Sequence, residues 1–199
     1  GNVSLYNETA EGAIPPTPVL MGIGIVKDIR KCVTSDLKDN GDIWLVGDNK
    51  EQMGASLYYR TLGLNCPNVP TTDFTSFIPR MEQLIEAIES GEVTACHDIS
   101  TGGIALAIIE MCMSGVGATI NLAGNMRKDL ELFNESNGRW LVQVKPDCEE
   151  SFSKRFDFAA KIGHVDKEIK FVLNNEEKLT FSIEELRKLW TEPLWNRLA

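Results

Sequence analysis

VTACHDISTGGIALAIIEMCM (93–113) contains a strand, a turn and a helix in that order. VTAC (93–96) is short, apolar and bounded by Gly91 on one side and polar residues on the other, which predicts a strand buried on both faces. HDISTGG (97–103) has the polar residues and paired glycines of a turn. IALAIIEMCM (104–113) is apolar nearly all round, so the helix it forms must be covered on most sides. A buried strand feeding a buried helix points to a sheet with helices packed on it.

Upstream, IPRMEQLIEAIES (78–90) places Ile78, Met81, Leu84, Ile85 and Ile88 on one helical face, with Pro79 in the first turn and Gly91 beyond the end. DIWLVG (42–47) is a second buried strand between Asn40-Gly41 and Gly47-Asp48, and residues 51–62 form a helix stopped by Gly63. PVLMGIGIV (18–26) reads as a further strand buried on both sides, ending in the charged KDIRK.

Downstream, strands are expected at about 117–122 and at 139–144, where the chain reads RWLVQV. A helix near 149–160 follows Pro146 and turns Phe152, Phe156 and Ala159 or Ala160 inward. KFVL and KLTF flank Asn174-Asn175 as a hairpin. Ser182 and Glu185 make a capping box, so the last helix begins there and runs to about Trp190. Helices and strands mix without a strict alternation and a hairpin comes near the end. The expected fold is α+β, a mixed β-sheet with helices packed on it.

The 199 residues are enough to bury roughly 70% of the unfolded surface. A formal net charge of −9 and scattered basic residues argue against a nucleic-acid binder, which needs Lys/Arg clusters to displace counterions. No apolar run reaches the ~18–20 residues of a membrane span, and the N-terminus lacks the basic start and apolar core of a signal peptide. The five cysteines form no CxxC pair and only two histidines are present. Reduced, mostly buried thiols in a cytoplasmic protein fit this better than a zinc site.

Three clusters could carry chemistry. GNVSLYNET (1–9) gathers Asn, Ser, Glu and Thr oxygens after a glycine, which suits a hard cation and a closely approaching phosphate, or simply a polar terminus. HDISTGG lies where backbone N–H groups at a helix start can hold an anion; equally, Asp98 or Ser100 caps that helix and the glycines let it pack closely. It is neither GxxxxGK[ST] nor GxGxxG. In FNESNGR (133–139), Glu135 and Arg139 either face a ligand or form an exposed ion pair in a solvated loop. Neither histidine has a convincing nucleophile near it in sequence, so no catalytic triad is expected.

Taken together, GNVSLYNET, PPTPVLMGIGIVKD, ACHDISTGGIALAIIEM, LFNESNGRWLVQV and the closing EELRKLWTEPLWNRL resemble the synthetase subunit family of phosphoribosylformylglycinamidine synthase, in its small stand-alone form. HDISTGG and FNESNGR are shared more loosely across the aminoimidazole ribonucleotide synthetase superfamily. The resemblance covers essentially the whole chain. It implies an ATP-dependent ligase of purine biosynthesis that phosphorylates the amide oxygen of formylglycinamide ribonucleotide, after which ammonia displaces the phosphate. The implied cofactors are Mg²⁺ and ATP. The implied partners are the preceding ATP-binding domains of the same subunit, a glutaminase subunit and a small accessory subunit.

Carried onto this sequence, the resemblance makes Gly1 a backbone contact to ATP, Asn2 a Mg²⁺ ligand and Ser4 a contact to the ribonucleotide. Asp98 becomes a candidate for an auxiliary nucleotide-site metal. Thr101 stands where the family has Asp, and Asn137-Gly138 where it has Gln-Ser, which puts ligand binding by those loops in doubt. The family's general base belongs to its N-terminal half, so no catalytic group is expected here, and Gly1 falls within a motif. Residues 1–13 are therefore expected to be the tail of a preceding domain plus a linker, and 14–199 the C-terminal synthetase-type domain, inactive alone. The competing readings are a non-catalytic interaction domain of the same fold and a domain of a related enzyme.

Overall fold

The computed structural model describes residues 8–13, 19–174 and 177–198. Two short strands, β1 (Glu8–Thr9) and β2 (Gly12–Ala13), pair as a small antiparallel ribbon. The body is a seven-stranded sheet. Its strands are β3 (Asp42–Val46), β4 (Val93–Asp98), β5 (Gly117–Leu122), β6 (Trp140–Val144), β7 (Ala159–Asp166), β8 (Ile169–Leu173) and β9 (Glu177–Phe181), in the order β4-β6-β3-β7-β5-β8-β9. All neighbours are antiparallel except β5 and β8, so the sheet is mixed and the fold is α+β.

Among the described residues the α-helices are α1 (Leu57–Thr61), α2 (Phe74–Glu89), α3 (Gly103–Met111), α4 (Lys128–Phe133), α5 (Glu149–Arg155) and α6 (Ile183–Leu198). Period-2 alternation splits the core into two layers. Ile43, Leu45 and Leu141 join the layer beneath α3, whereas Trp44, Val46, Val142 and Val144 join the layer with Leu84 and Ala87 of α2 and Phe152 of α5. In β4, Val93 and Ala95 would share a face, yet they enter opposite layers because the register shifts between them. The β3–β6 half of the sheet is thus covered on both faces. In β8 only Ile169, Phe171 and Leu173 are fully buried, so that end is covered on one face.

Several elements differ from the sequence reading. The helix expected at 51–62 is only Leu57–Thr61, started by the Ser56 hydroxyl, which accepts from Tyr59 N–H. The α2 helix begins four residues early because the Asp73 carboxylate caps it, accepting from Thr75 N–H. Pro79 therefore lies inside the helix. The side chains turned inward are Leu84 and Ala87, while Ile78 and Ile85 stay 45% and 46% exposed. The helix after Pro146 stops at Arg155, and Ala159 and Ala160 start β7, a central strand that the local pattern hides. Gly163 lets β7 sit there, since a Cβ at that position would lie 2.2 Å from the Thr119 carbonyl oxygen. The last helix continues past Trp190 to Leu198. Of the cysteines only Cys112 is fully buried, and burial pushes its thiol up to about 12.

The clearest correction is at PVLMGIGIV. From Val19 onward this run forms no strand, and its large apolar side chains between Val19 and Val26 are 61% to 95% exposed. One edge of the sheet, that of β4, is closed to it. The outer side of β4 is already taken by Thr34, which bridges Ala95 and accepts from Cys96 N–H at 3.1 Å.

Candidate functional site

Strands β3 and β4 run parallel to each other and both antiparallel to β6, with Val46 and Asp98 each opposite Trp140. The loops that leave β3 and β4 and the loop that enters β6 therefore meet at one end of the sheet. They are residues 47–56, 99–102 and 134–139, which include the middle of HDISTGG and all of FNESNGR after Phe133.

Glu135 ties this end together. Its Oε1 accepts from Leu57 N–H and from Gly102 N–H, both at 2.8 Å, so one carboxylate oxygen serves the starts of α1 and α3. The first N–H groups of a helix have no partner within the helix, and a carboxylate is favoured there by the helix dipole. Gly102, at the cap position of α3, has no side chain to cap with, and neither Asp98 nor Ser100 does so in its place. Gly103, at φ +66°, brings α3 against the chain at Leu132–Asn134, where a Cβ would lie 2.5 Å from the Leu132 carbonyl oxygen. The glycines thus serve close packing, and the capping oxygen comes from Glu135.

Arg139 is the second tie. It is 1% exposed, not a surface ion pair. Its Nε donates to the Ser136 carbonyl at 2.9 Å, Nη2 to the Asn134 carbonyl at 2.7 Å, and Nη1 to Asn49 Oδ1. None of these partners is a carboxylate. Burial pulls the guanidinium down to about 10, so it remains charged at neutral pH. Asn134 Nδ2 donates to the Leu130 carbonyl, Ser136 Oγ to the Lys50 carbonyl and Asn137 Nδ2 to Thr72 Oγ1. Arg139 and Glu135 thus organise three loops, and neither bonds the other. Tyr58 adds a stack on Phe133, 4.6 Å between centroids, which sets α1 on α4.

Ala55, in the first of these loops, is held at φ +61°, in the left-handed region where a Cβ costs about 1–2 kcal/mol. Ala55→Gly removes that cost and adds unfolded-state entropy, for a net gain of about 0.5–1 kcal/mol. The expected result is a Tm rise of about 1–4 °C. A lower Tm in thermal unfolding would show that Ala55 is unstrained.

Of the residues singled out from sequence, Gly1, Asn2 and Ser4 lie outside the described residues. Asp98 is the last residue of β4, with its side chain 68% exposed and Oδ1 3.6 Å from His97 Nδ1. On the other side of the ring, His97 Nε2 lies 2.8 Å from Glu110 Oε2 on α3. Among the described residues no group of three or more His, Cys, Asp and Glu is placed to hold a metal ion. Nor, among them, is any helix long and apolar enough to cross a membrane.

Residues 43–174 match the model of the AIR synthase related protein family, C-terminal domain, so the matched span runs from β3 through β8 and includes all three loops. The chain belongs to the AIR synthase related family. The match places HDISTGG and FNESNGR inside this C-terminal domain. The curated relatives include the phosphoribosylformylglycinamidine synthase subunit PurL of Thermoanaerobacter sp. (strain X514), 37% identical over 198 residues and 96% of this chain. The PurL of Methanothrix thermoacetophila is 35% identical over 204 residues and 98% of this chain. The chain spans only 27% and 26% of these two relatives.

Solved structures agree on the domain's fold. Thermotoga maritima PurL complexed with FGAR overlays at a TM-score of 0.66 with 20% identity, covering 80% of this chain and 30% of that one. The complex of the same protein with ATP gives 0.64 and 19%, covering 80% and 28%. The hydrogenase maturation protein HypE gives 0.54 at 16% identity, over 86% of this chain and 57% of that one. The mixed-sheet AIR synthase related architecture is thus shared among proteins of different names.

Proposed function

We propose that this chain is the C-terminal domain of a phosphoribosylformylglycinamidine synthase synthetase subunit. One observation carries the reading. Identity of 35–37% extends over 96–98% of the chain to subunits of that name, and covers about a quarter of their length. The whole protein is then an ATP-dependent ligase of purine biosynthesis. It phosphorylates the amide oxygen of formylglycinamide ribonucleotide, and ammonia displaces the phosphate to leave the amidine. A cytoplasmic location, a glutaminase subunit that supplies the ammonia and a small accessory subunit belong to the same reading.

Within it, residues 1–13 close a preceding ATP-binding domain and residues 14–199 form the C-terminal domain. The Gly1 backbone contacts ATP, the Asn2 side-chain oxygen supplies one ligand to Mg²⁺, and Ser4 holds the ribonucleotide. Asp98, exposed beside His97, would serve an auxiliary nucleotide-site metal only with ligands from outside the described residues. Mg²⁺, when bound, neutralises phosphate charge. The described residues supply the framework: Glu135 and Arg139 hold the three loops at one end of the sheet.

A phosphoryl group in transfer must be held from several directions, and this domain offers one wall. The 199-residue chain alone should therefore fold, bind Mg²⁺-ATP no better than millimolar and turn over nothing. Circular dichroism and calorimetry test both halves of that statement. Low-micromolar ATP binding by the isolated chain would contradict a site shared with other domains.

Ser4→Ala in the longer subunit separates the substrate role from the nucleotide role. Loss of one hydrogen bond should weaken ribonucleotide binding by about 0.5–3 kcal/mol and leave the KM for ATP near its original value. Steady-state kinetics with each substrate varied in turn gives the answer. A change in the ATP constant alone would mean Ser4 has been given the wrong partner.

A further inference from the structure

Helix α2 carries a second apolar stripe, beside the one that Leu84 and Ala87 bury. Phe74, Ile78, Met81, Ile85 and Ile88 follow one another at steps of four, three, four and three residues, the spacing of a coiled-coil seam. Phe74 is 67% exposed and Ile78 and Ile85 nearly half exposed, while Met81 and Ile88 are half-buried on the side nearer Leu84. At 1.5 Å per residue the stripe is about 21 Å long, enough to seat roughly four turns of a second helix. Its C-terminal end opens into a groove of about 540 Å³ that Ile85, Ile88 and Glu89 share with Val26, Lys31 and Cys32. An apolar face of this kind on a folded domain marks a contact surface. Its outer rim is acidic. Glu82 and Glu89 lie one turn beyond Ile78 and Ile85, with Glu86 between them, and all three are exposed. Among the described residues none of these carboxylates makes an ion pair or a side-chain hydrogen bond.

We propose that this face of α2 docks a basic amphipathic helix of another polypeptide. The partner's apolar residues seat on Phe74, Ile78, Met81, Ile85 and Ile88, and its lysines or arginines face Glu82, Glu86 and Glu89. The seam selects a helix, because a partner of the same period keeps its side chains in register over the whole stripe. Charge selects the sign. Three unpaired carboxylates along one rim repel an acidic segment and attract a basic one. The same charges disfavour a second copy of this chain. Two α2 helices packed antiparallel about Met81 would set Glu82 beside Glu82, and each copy carries a net charge of −9. The other long helix among the described residues, α6, is engaged elsewhere, since Ile183 and Leu186 pack on the opposite layer, beneath α3. Such a surface belongs to the domain whatever reaction the longer subunit performs.

A synthetic four-heptad helix with leucine at both seam positions and lysine on both flanks is the probe, beside a twin with glutamate for each lysine. Binding to the longer subunit is read by fluorescence anisotropy, so it is measured apart from amidine formation. The lysine peptide should bind with a Kd of about 10–100 μM in low salt, and the glutamate peptide at least about 10-fold more weakly. Changing Glu82→Lys, Glu86→Lys and Glu89→Lys together should reverse that preference. Ile85→Ser should weaken both peptides while circular dichroism shows the fold unchanged. Failure of the lysine peptide to bind, equal affinity for the two peptides, or a preference that survives the charge reversal would overturn the proposal. So would a dimer that Ile85→Ser dissociates, which would give the face to a second copy. Binding by the 199-residue chain but not by the longer subunit would overturn it as well, giving the face to a neighbouring domain.

Discussion

Arg139→Met is expected to destabilise the domain by about 3–5 kcal/mol. The side chain fits the volume, so little of this is a cavity. The loss arises from acceptors. The carbonyls of Asn134 and Ser136 and the Asn49 side-chain oxygen would be left facing an apolar chain, at about 1–3 kcal/mol for each buried group without a donor. Removing a buried cation returns part of its desolvation cost, which is why the total falls short of three full penalties. At 1% exposure Arg139 has no access to water that could stand in. Urea unfolding of the two proteins measures the difference. A change under 1 kcal/mol would mean that the guanidinium is not what fastens residues 47–50 to 134–139.

The largest expected effect on activity belongs to Asn2→Ala in the longer subunit. If the Asn2 oxygen is one of the few protein ligands of the Mg²⁺ that accompanies ATP, its removal should lower turnover at least about 10-fold and raise the metal concentration needed for half-maximal rate. A metal fixed at a transferring phosphoryl group stabilises the transition state more than the ground state. The loss should therefore reach kcat, at a cost of a few kcal/mol. A Mg²⁺ titration on wild type and variant decides it. Wild-type kinetics across the titration would remove Asn2 from the metal's coordination.

What could be seen in the sequence depended on how local its cause was. DIWLV, VTAC and WLVQV were legible as strands because glycine or polar residues bound each one and every second side chain has a layer to enter. AAKIGHVD was not, because Ala159 and Ala160 extend the helical spacing of Phe152 and Phe156. Only the close approach of Gly163 to Thr119, far away in sequence, makes the segment a strand. PVLMGIGIV has the composition of a buried strand, but composition does not say whose sheet buries it. Among the described residues none does.

The loop cluster was half legible. HDISTGG and FNESNGR stood out as polar turns beside buried elements, and the match of residues 43–174 keeps both within one domain. Their physical connection did not show, since Glu135 reaches 78 residues back to Leu57 and 33 back to Gly102. A sign was available nonetheless. A helix that starts on Gly102-Gly103 has no side chain to cap it, so an oxygen from elsewhere was required. Arg139 carried no such sign, because a lone arginine beside a strand is far more often exposed than threaded between loops.

The central reading is tested most directly by one reaction mixture. A purified subunit carrying this chain at its C-terminal end is incubated with formylglycinamide ribonucleotide, Mg²⁺-ATP and ammonium, and products are followed by mass spectrometry. The expected result is formylglycinamidine ribonucleotide formed in step with ADP and phosphate, with none from the 199-residue chain alone. ADP release independent of the ribonucleotide, or no amidine from a folded subunit, would contradict it.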